Sequence, residues 1–369
     1  MIISRRKTLA LLGGGTIVAA ATGAGAFLTT RTPTKALAPW GKAGEYEDPV
    51  RRALSYAILA PNPHNRQPWV IDLQGDNRAI IWRDGEKDLP ATDPFERQLT
   101  IGMGCFLEQM TIAASTSGHI VDLTLFPEGE TGPVAIADFQ DGAVPDPLAA
   151  HVMQRRSCKE PFADTPVPDE AAEAIAKLAQ VYRDEATVSK IRDMTWRAFQ
   201  IETLTPETMQ ESVDLFRMGK AEINANPDGL DIGGPFLESL MVAGILTREA
   251  QMDPNSQAFA EGQKIYDAML NATPAYAVIT TPGNSREDQI AAGRRWLRLN
   301  LTTTALGLGL HPVSQALQEY PEMAAEYGLA HEMLANPGET VQMLGRVGYG
   351  PTVAVTPRWP LERKIRNAA

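Results

Sequence analysis

Three segments of the 369-residue chain carry side chains that could hold a flat ligand with a phosphate group. The first is RRSCKEPFADTPVP at 155–168, which offers Arg155, Ser157 and Lys159. A guanidinium is a planar fork of donors that matches phosphate oxygens. Each such charge-assisted hydrogen bond contributes roughly 1.5–3 kcal/mol when it is shielded from water. By itself the pattern favours a solvated basic helix end that interacts with the helix dipole. The alternative is a phosphate site.

The second segment is the proline-studded loop APNPHNRQPW at 60–69. Proline fixes φ, so such a loop loses little entropy when it is placed against a flat ring. The alternative is a rigid surface turn. Trp69 is expected to pack in the core, and His64 either orients a substrate or is a bystander. The residues that could contact a ligand are Pro61, Asn62, Pro63 and Asn65.

The third segment is divided between two stretches near the C-terminus. GLGLHPVSQAL at 307–317 contains Ser314 and Gln315, and MLGRVGYGPTVAVTPRWPLE at 343–362 contains Arg358. Arg358 is a second guanidinium that could meet a phosphate.

Other kinds of site are disfavoured. The sequence has no Ser/His/Asp, Cys/His or paired-carboxylate arrangement, no GxGxxG, and no metal-ligand spacing among its five histidines. Its two cysteines exclude a cysteine-rich metal site, and Cys158 is expected to be a packed residue rather than a reactive thiol. A formal charge of −11 argues against a nucleic-acid partner, because such a partner requires a cationic surface.

Residues 1–38 differ from the rest of the chain. They contain five basic residues and no acidic one, and an uncharged run extends from Leu9 to Thr30. A basic start before an uncharged run predicts an export signal, and SRRKTL resembles the twin-arginine type. The alternative is an uncleaved membrane anchor, because the run is long enough to span a bilayer. We therefore expect an exported protein, periplasmic or membrane-anchored and facing outside the cytoplasm.

The positioning elements follow from hydrophobic periodicity. Long helices are predicted at 94–118 and 286–308, a shorter one at 147–157, and a mostly helical stretch at 190–270 with a break at INANPDGLDIGGP. Helices and strands are mixed without regular βαβ alternation, so the expected fold class is α+β.

The two long helices resemble each other. At an offset of 191 residues, QLTIGMGCFLEQMTIAASTSG matches QIAAGRRWLRLNLTTTALGLG at five positions, including Gly102 with Gly293. Small residues at such positions allow another backbone to approach closely. The match indicates two related halves.

Taken together, the three segments resemble the nitroreductase family of flavoproteins. They are similar to its APSxxNxQPW loop, its RRSxRxFxxxPVP phosphate-binding segment, and its GLGxxP turn followed by an R-x-P tail. Lys159 stands where the family has Arg, and Thr356 replaces a second tail cation. The FMN-binding residues that this resemblance implies are Arg155, Ser157, Lys159, Pro61, Asn62, Pro63, Asn65, Ser314, Gln315 and Arg358.

The order of the segments departs from an ordinary family subunit, in which the RRS segment precedes the loop. Here it follows the loop, and AQVYRDEATVSK at 179–190 stands where a second loop is expected. Family flavin sites combine both parts from two subunits. We therefore predict a fused pseudo-dimer, similar to the Acg-type branch, with one FMN site. Its parts are a first half at 39–140 and a second half at 141–369, with a helical lid insert at about 183–262.

The resemblance implies an FMN-dependent oxidoreductase in which flavin N5 carries the chemistry and no side chain is catalytic. The expected reaction is two-electron reduction of a nitroaromatic, quinone or similar planar acceptor, with NAD(P)H or another donor. The rival hypothesis is a protein that sequesters or stores FMN with little turnover. The expected state is a monomer, delivered by the twin-arginine export machinery.

Overall fold

The structure, a computed structural model, describes residues 30–367. It mixes helices with two antiparallel four-stranded sheets, as the predicted α+β class requires. The helices are α1 (Thr34–Lys42), α2 (Pro49–Ala57), α3 (Arg97–Ser115), α4 (Asp169–Ala176), α5 (Glu185–Leu204), α6 (Pro206–Asp214), α7 (Gly219–Ala225), α8 (Pro235–Val242), α9 (Arg248–Met252), α10 (Gln257–Asn271), α11 (Arg286–Ala305) and α12 (Ala324–Leu334). The strands are β1 (Trp69–Gln74), β2 (Arg78–Arg83), β3 (His119–Leu125), β4 (Ala135–Asp141), β5 (Gln180–Tyr182), β6 (Phe216–Met218), β7 (Leu230–Ile232), β8 (Ala275–Thr281), β9 (Gly309–Pro312) and β10 (Thr340–Gly348).

The first sheet has the order β1-β2-β4-β3. Its strands alternate between the core and the surface, so that Trp69 and Ile71 are fully buried on one face. The end of the chain completes this sheet, because Ile71 N–H donates to the Lys364 carbonyl and Arg366 N–H donates to the Ile71 carbonyl, each at 2.8 Å. The last residues of the second half thus lie on the first half.

The second sheet has the order β5-β8-β10-β9, with the apolar strand β8 paired to β10. Strand β9 begins at Gly309, where an added Cβ would lie 2.8 Å from the Phe162 ring. This close approach brings the segment that follows Arg155 against the edge of the sheet, and Cys158 N–H donates to the Leu310 carbonyl at 3.1 Å.

The long helices α3 and α11 cross at two glycines. A Cβ on Gly104 would lie 2.3 Å from the Ile290 carbonyl oxygen, and one on Gly293 would lie 2.0 Å from the Ile101 carbonyl oxygen. The close backbone approach that was expected of small residues is therefore present. Gly102 has another role, because its missing Cβ leaves room for Asn62 and Pro63. One continuous apolar core surrounds the crossing and includes side chains of both sheets.

The predicted insert at 183–262 does not form one separate layer. Helix α5 at its start packs Val188, Ile191 and Met194 against the second sheet. The part that lies apart from both sheets is residues 216–246, here called the lid segment, which contains β6, α7, β7 and α8. The predicted break at INANPDGLDIGGP includes β7, which pairs in parallel with β6.

The predicted helix at 147–157 is wrong. Only Pro147–His151 form a 3-10 helix, and the chain then extends toward the bridge between Ser157 and Leu310. Pairing with β9 requires extended backbone, so the RRS segment does not close a helix. The alternative in which a helix dipole stabilises its charges is therefore excluded.

Residues 1–29 of the predicted export signal lie outside the described part of the chain. Residues 34–38 form the start of α1, in which Ala36 and Trp40 are buried. The folded body therefore begins before residue 39. Within residues 30–367, no helix combines the length and apolar character that crossing a membrane requires.

Candidate functional site

Two arginines from distant parts of the sequence meet at one carbonyl oxygen. Arg155 Nη2 and Arg358 Nη2 donate to the Leu59 carbonyl at 3.0 and 3.1 Å, at the end of α2. Arg155 Nη1 also donates to Asn300 Oδ1 of α11 at 3.0 Å. The cluster thus joins the RRS segment, the first-half loop, the C-terminal tail and a central helix.

Both charges are buried, and within residues 30–367 no carboxylate is hydrogen-bonded to either of them. The Asp231 carboxylate acts on Arg358 through its charge alone, and it raises the pKa of Arg358 against the effect of burial. Arg155 and Arg358 are each 3% exposed, and the acceptors they contact are carbonyl, amide and hydroxyl oxygens. The Nε atom of each lacks a hydrogen-bond partner in the described part of the chain. Burial lowers the pKa of Arg155 to about 10 and that of Arg358 to about 9, where the neighbouring Arg155 lowers it further. An anion would satisfy both guanidiniums.

The loop beside the arginines is held in an unusual backbone conformation. His64, Asn65 and Gln67 have φ of +46°, +52° and +52°, values that residues other than glycine seldom adopt. Such conformations persist only where surrounding contacts impose them, and they concentrate at functional sites. The loop is therefore a stronger candidate for ligand contact than its prolines alone suggested.

Specific hydrogen bonds hold this loop. Asn65 Oδ1 accepts from Arg358 Nη1 at 2.6 Å, and its Nδ2 donates to the Pro357 carbonyl at 3.1 Å. Asn62 Oδ1 accepts from Gln67 N–H at 2.7 Å, while Asn62 Nδ2 donates to the Ala60 carbonyl at 3.1 Å. Asn65 therefore connects the loop with the tail, and Asn62 braces the turn itself.

Gln67 was missed by the sequence analysis although it lies in the same segment. It is fully buried, and its Nε2 donates to the Pro227 carbonyl of the lid segment at 2.7 Å. Its Oε1 accepts from Trp359 N–H at 2.9 Å, and its carbonyl accepts from Lys364 Nζ at 2.6 Å. The sequence signal was its place in the QPW part of the APSxxNxQPW pattern that the loop resembles.

Ser157 forms the bridge to β9, and Lys159 lies two residues further along the chain. Arg346 Nη2 donates to the carbonyls of Cys158 and Glu160, at 3.3 and 3.2 Å, and so holds this segment in place. Arg346 is fully buried in β10 and was also missed, because only the fold brings it to the segment. Cys158 is buried as predicted, and burial raises the pKa of its thiol.

Lys159 is exposed, and its charge acts on His64 and Asp231. Burial together with Lys159 and Arg66 lowers the pKa of His64 to about 4, so the imidazole is neutral at pH 7. Burial raises the pKa of the carboxyl of Asp231 in β7, while Lys159 and Arg358 oppose that rise. Cations of the body thus act on a carboxylate of the lid segment.

Ser314 and Gln315 follow β9 and are separate from the arginine cluster. Ser314 Oγ is buried without a hydrogen-bond partner in the described chain, and Gln315 Oε1 accepts from Tyr266 Oη at 3.0 Å. Burial raises the pKa of the nearby Glu202 carboxyl, which accepts from Gln318 Nε2 at 3.0 Å. No direct bond joins this polar group to Arg155 or Arg358 in residues 30–367.

Helix α1 closes the cluster from the other side. The Trp40 ring lies under the guanidinium carbons of Arg156 and Arg358, at 5.0 and 5.9 Å from its centroid. Trp40 Nε1 donates to the Thr356 carbonyl, and Thr356 Oγ1 accepts from Arg358 Nη1 at 2.6 Å. Thr356, which replaces a cation of the family pattern, therefore orients the remaining arginine.

The lid segment is fastened over the loop at one carboxylate. Asp228 is 4% exposed and accepts from Lys87 Nζ and Arg217 Nη2, each at 2.8 Å, and from Trp359 Nε1 at 3.2 Å. Burial alone would raise its pKa, but these donors hold it at about 2. Gly229 N–H next to it donates to the Asn65 carbonyl at 3.3 Å.

The arrangement accounts for the predicted residues in two groups. The arginines, the loop residues and the RRS segment converge, whereas Ser314 and Gln315 occupy a separate end reached along β9. Trp69 is a core residue, stacked on Phe106 at 4.9 Å, as predicted. The donor set suits a phosphate, since it offers guanidinium nitrogens, and in residues 30–367 no cluster of His, Cys, Asp and Glu could hold a metal.

Comparison with known proteins bears on this site. No protein-family model matches the chain. A Mycobacterium tuberculosis protein named as an NAD(P)H nitroreductase is 25% identical over 339 residues, which cover 86% of this chain and 90% of that protein. The protein of that organism named NAD(P)H nitroreductase acg is 22% identical over 327 residues, covering 85% and 94%. A third, named without an activity, is 24% identical over 329 residues, covering 86% and 92%.

Two of these three relatives are named as nitroreductases, and this chain is similar to all three over almost their full length.

Solved structures of the nitroreductase family overlap with part of the chain. The FMN-dependent nitroreductase NfnB of Mycobacterium smegmatis, in complex with NADPH, covers 60% of this chain and 98% of its own at 16% identity and a TM-score of 0.38. A nitroreductase from Bacteroides fragilis with bound FMN covers 58% and 94% at 11% identity and a TM-score of 0.33.

Proposed function

We propose that the chain binds FMN with its phosphate at Arg155 and Arg358. The observation that carries this proposal is the pair of buried guanidiniums with no hydrogen-bonded carboxylate in the described part of the chain, each with an unpartnered Nε. Two buried cations are costly unless an anion joins them, and a phosphomonoester with about −2 charge would neutralise both. Ser157 and Lys159, next to the bridge with β9, would add a hydroxyl and a third cation.

The other predicted residues would hold the remainder of the cofactor. Pro61, Asn62, Pro63 and Asn65 would lie along its ring and ribityl chain, and the backbone amides at Ser314 and Gln315 would face flavin N5. Bound FMN supplies two-electron transfer at that atom. The protein would contribute orientation, a cationic environment and exclusion of water by the lid segment.

We infer that the chain is a pseudo-dimer with one such site. Crossing of α3 and α11 at glycines and the return of the C-terminal residues to the first sheet support two interlocked halves. The conformation of residues 179–190 supports the loss of a second site. These residues form β5 and the start of α5, which Asp184 caps. None of them has a positive φ, whereas the loop at 60–67 has three such residues.

The proposed activity is reduction of a nitroaromatic, quinone or similar planar acceptor, with NAD(P)H as donor. Relatives named as NAD(P)H nitroreductases support this donor. The test uses the purified full chain loaded with FMN. Prompt loss of the yellow colour on addition of NADPH under anaerobic conditions, and its return with an added quinone, are expected of the enzyme.

A second candidate function is storage of FMN. Asp228 fastens the lid segment to Lys87 and Trp359. Pro227 and Gly229 fasten it to Gln67 and Asn65 of the loop, which favours a closed site. A storage protein would be reduced by dithionite but not by NADPH. The same titration therefore separates the two functions.

We also propose export by the twin-arginine machinery, since Arg5 and Arg6 precede the uncharged run. The doubly substituted chain Arg5→Lys, Arg6→Lys should remain in the cytoplasm, because that pathway requires the arginine pair. Fractionation of cells that express either chain measures this. Equal distribution of both chains would contradict the proposal.

A further inference from the structure

Helix α8 of the lid segment and the turn after it expose several large apolar side chains. The sequence of α8 is PFLESLMV, and its one buried residue in the described structure is the carboxylate Glu238. Phe236 is 40% exposed, Val242 81%, and Ile245 in the following turn 49%. Exposed apolar side chains that are close together in one short segment indicate a partner.

The uncharged N-terminal run joins the folded body beside this helix. Lys220 Nζ donates to the carbonyl of Thr30, the last residue of the run, at 2.8 Å. The next residue, Arg31, pairs with Glu238 of α8 at 3.3 Å. Both contacts fix the exit of the run at the lid segment, within a side chain's length of α8.

We propose that the exposed apolar side chains of α8 and its following turn lie on a lipid bilayer that the N-terminal run spans. The run from Leu9 to Thr30 has 22 uncharged residues, enough to cross the hydrocarbon core of a bilayer. The membrane surface would then lie where the run ends, at Thr30 and Arg31. Apolar side chains at that level would be stabilised by burial at the interface. Glu238, one helical turn before Val242, stays buried and paired with Arg31.

The chain offers a matched control for this surface. Val144, between the first sheet and the RRS segment, is 85% exposed, almost as much as Val242. The native cysteines Cys105 and Cys158 are 2% and 3% exposed, so a thiol-reactive dye should label only an introduced cysteine. The variants are Val242→Cys and Val144→Cys in the full chain, each carrying an environment-sensitive fluorophore.

The labelled chains are reconstituted into phosphatidylcholine–phosphatidylglycerol vesicles that contain nitroxide-labelled lipid. We expect a blue shift and severalfold stronger nitroxide quenching at position 242 than at position 144. Equal quenching at both positions overturns the proposal. Shielding at position 242 without lipid also overturns it: at low protein concentration it would assign the surface to the chain's own N-terminal run, and if it rises with concentration, to a second copy. The FMN content of the same samples tests the proposed cofactor independently.

Discussion

Two pairs of arginines in the molecule have opposite electrostatic surroundings. Arg294 and Arg298 on α11 share the carboxylate of Glu108, which lies on α3 and is 1% exposed, and Arg298 also bonds Asp146 at 2.8 Å. Burial lowers the pKa of Arg298, but these carboxylates outweigh it and raise that pKa overall. Arg155 and Arg358 are more deeply buried and have neutral partners.

The difference indicates that the two arginine pairs have different roles. Arg294 and Arg298 neutralise a buried carboxylate where α3 and α11 cross, so their charges are compensated within the fold. Arg155 and Arg358 keep their charges available at the cost of burial without a counter-charge. The protein has a formal charge of −11, yet the hydrogen-bond acceptors of Arg155 and Arg358 are neutral oxygens. Such a pair of buried cations is suited to an anionic ligand.

The largest expected effect follows from removing the unpaired charges. Arg358→Met and Arg155→Met should each weaken FMN binding by about 100-fold, since each loses one or two charge-assisted hydrogen bonds. Titration of FMN into the full chain by calorimetry measures this. Arg298→Met is the matched control and should leave the dissociation constant unchanged. Equal loss in all three variants would show that the effect comes through folding.

A smaller effect is expected when the other pair loses its carboxylate. Glu108→Gln leaves Arg294 without a counter-charge and Arg298 with Asp146 alone. It should lower the free energy of unfolding by about 2 kcal/mol. The guanidiniums are partly exposed, which limits the loss. Urea denaturation of the FMN-free chain measures it. An unchanged unfolding midpoint would contradict the structural role of this pair.

The lid segment depends on a buried carboxylate, Asp228. Its pKa of about 2 lies below the unfolded value of 3.8, so its contribution to stability is complete above about pH 4 and disappears as the pH falls toward 2. Asp228→Asn should remove about 1–2 kcal/mol at pH 7 and flatten the acid dependence of unfolding. Hydrogen exchange should become faster at residues 226–232. If exchange there is the same as in the wild type, the lid segment is not fastened by Asp228.

The smallest effect concerns Lys159, the exposed cation of the proposed site. Lys159→Ala should weaken FMN binding only severalfold, because solvent screens an exposed charge. The difference from wild type should vanish at high salt, whereas the loss in Arg358→Met should persist. Fluorescence titrations of FMN at low and high salt compare the two variants. A salt-independent loss in Lys159→Ala would place this side chain in a buried contact.

Local sequence predicted the two long helices well. The helices α3 and α11 were expected close to where they lie, because hydrophobic periodicity is displayed directly by the sequence. The family resemblance, rather than periodicity, implied that Arg155, Arg358 and Asn65 belong together.

Long-range contacts account for what the sequence did not predict. Pairing of Ser157 with Leu310 overrides the local helical preference at 147–157. The strained φ at His64 and Gln67 is imposed by contacts from the tail and the lid segment. Arg346 reaches the RRS segment from β10, and nothing in its own neighbourhood of the sequence indicates this role.

The central claim is one FMN site, built where both halves meet at Arg155 and Arg358. The most direct test is the number of FMN molecules bound per full chain at saturation, measured by calorimetry and by flavin released on denaturation. The account predicts one FMN per chain. Two would contradict the loss of the second site at residues 179–190, and none would contradict the assignment of the unpaired arginines to a cofactor phosphate.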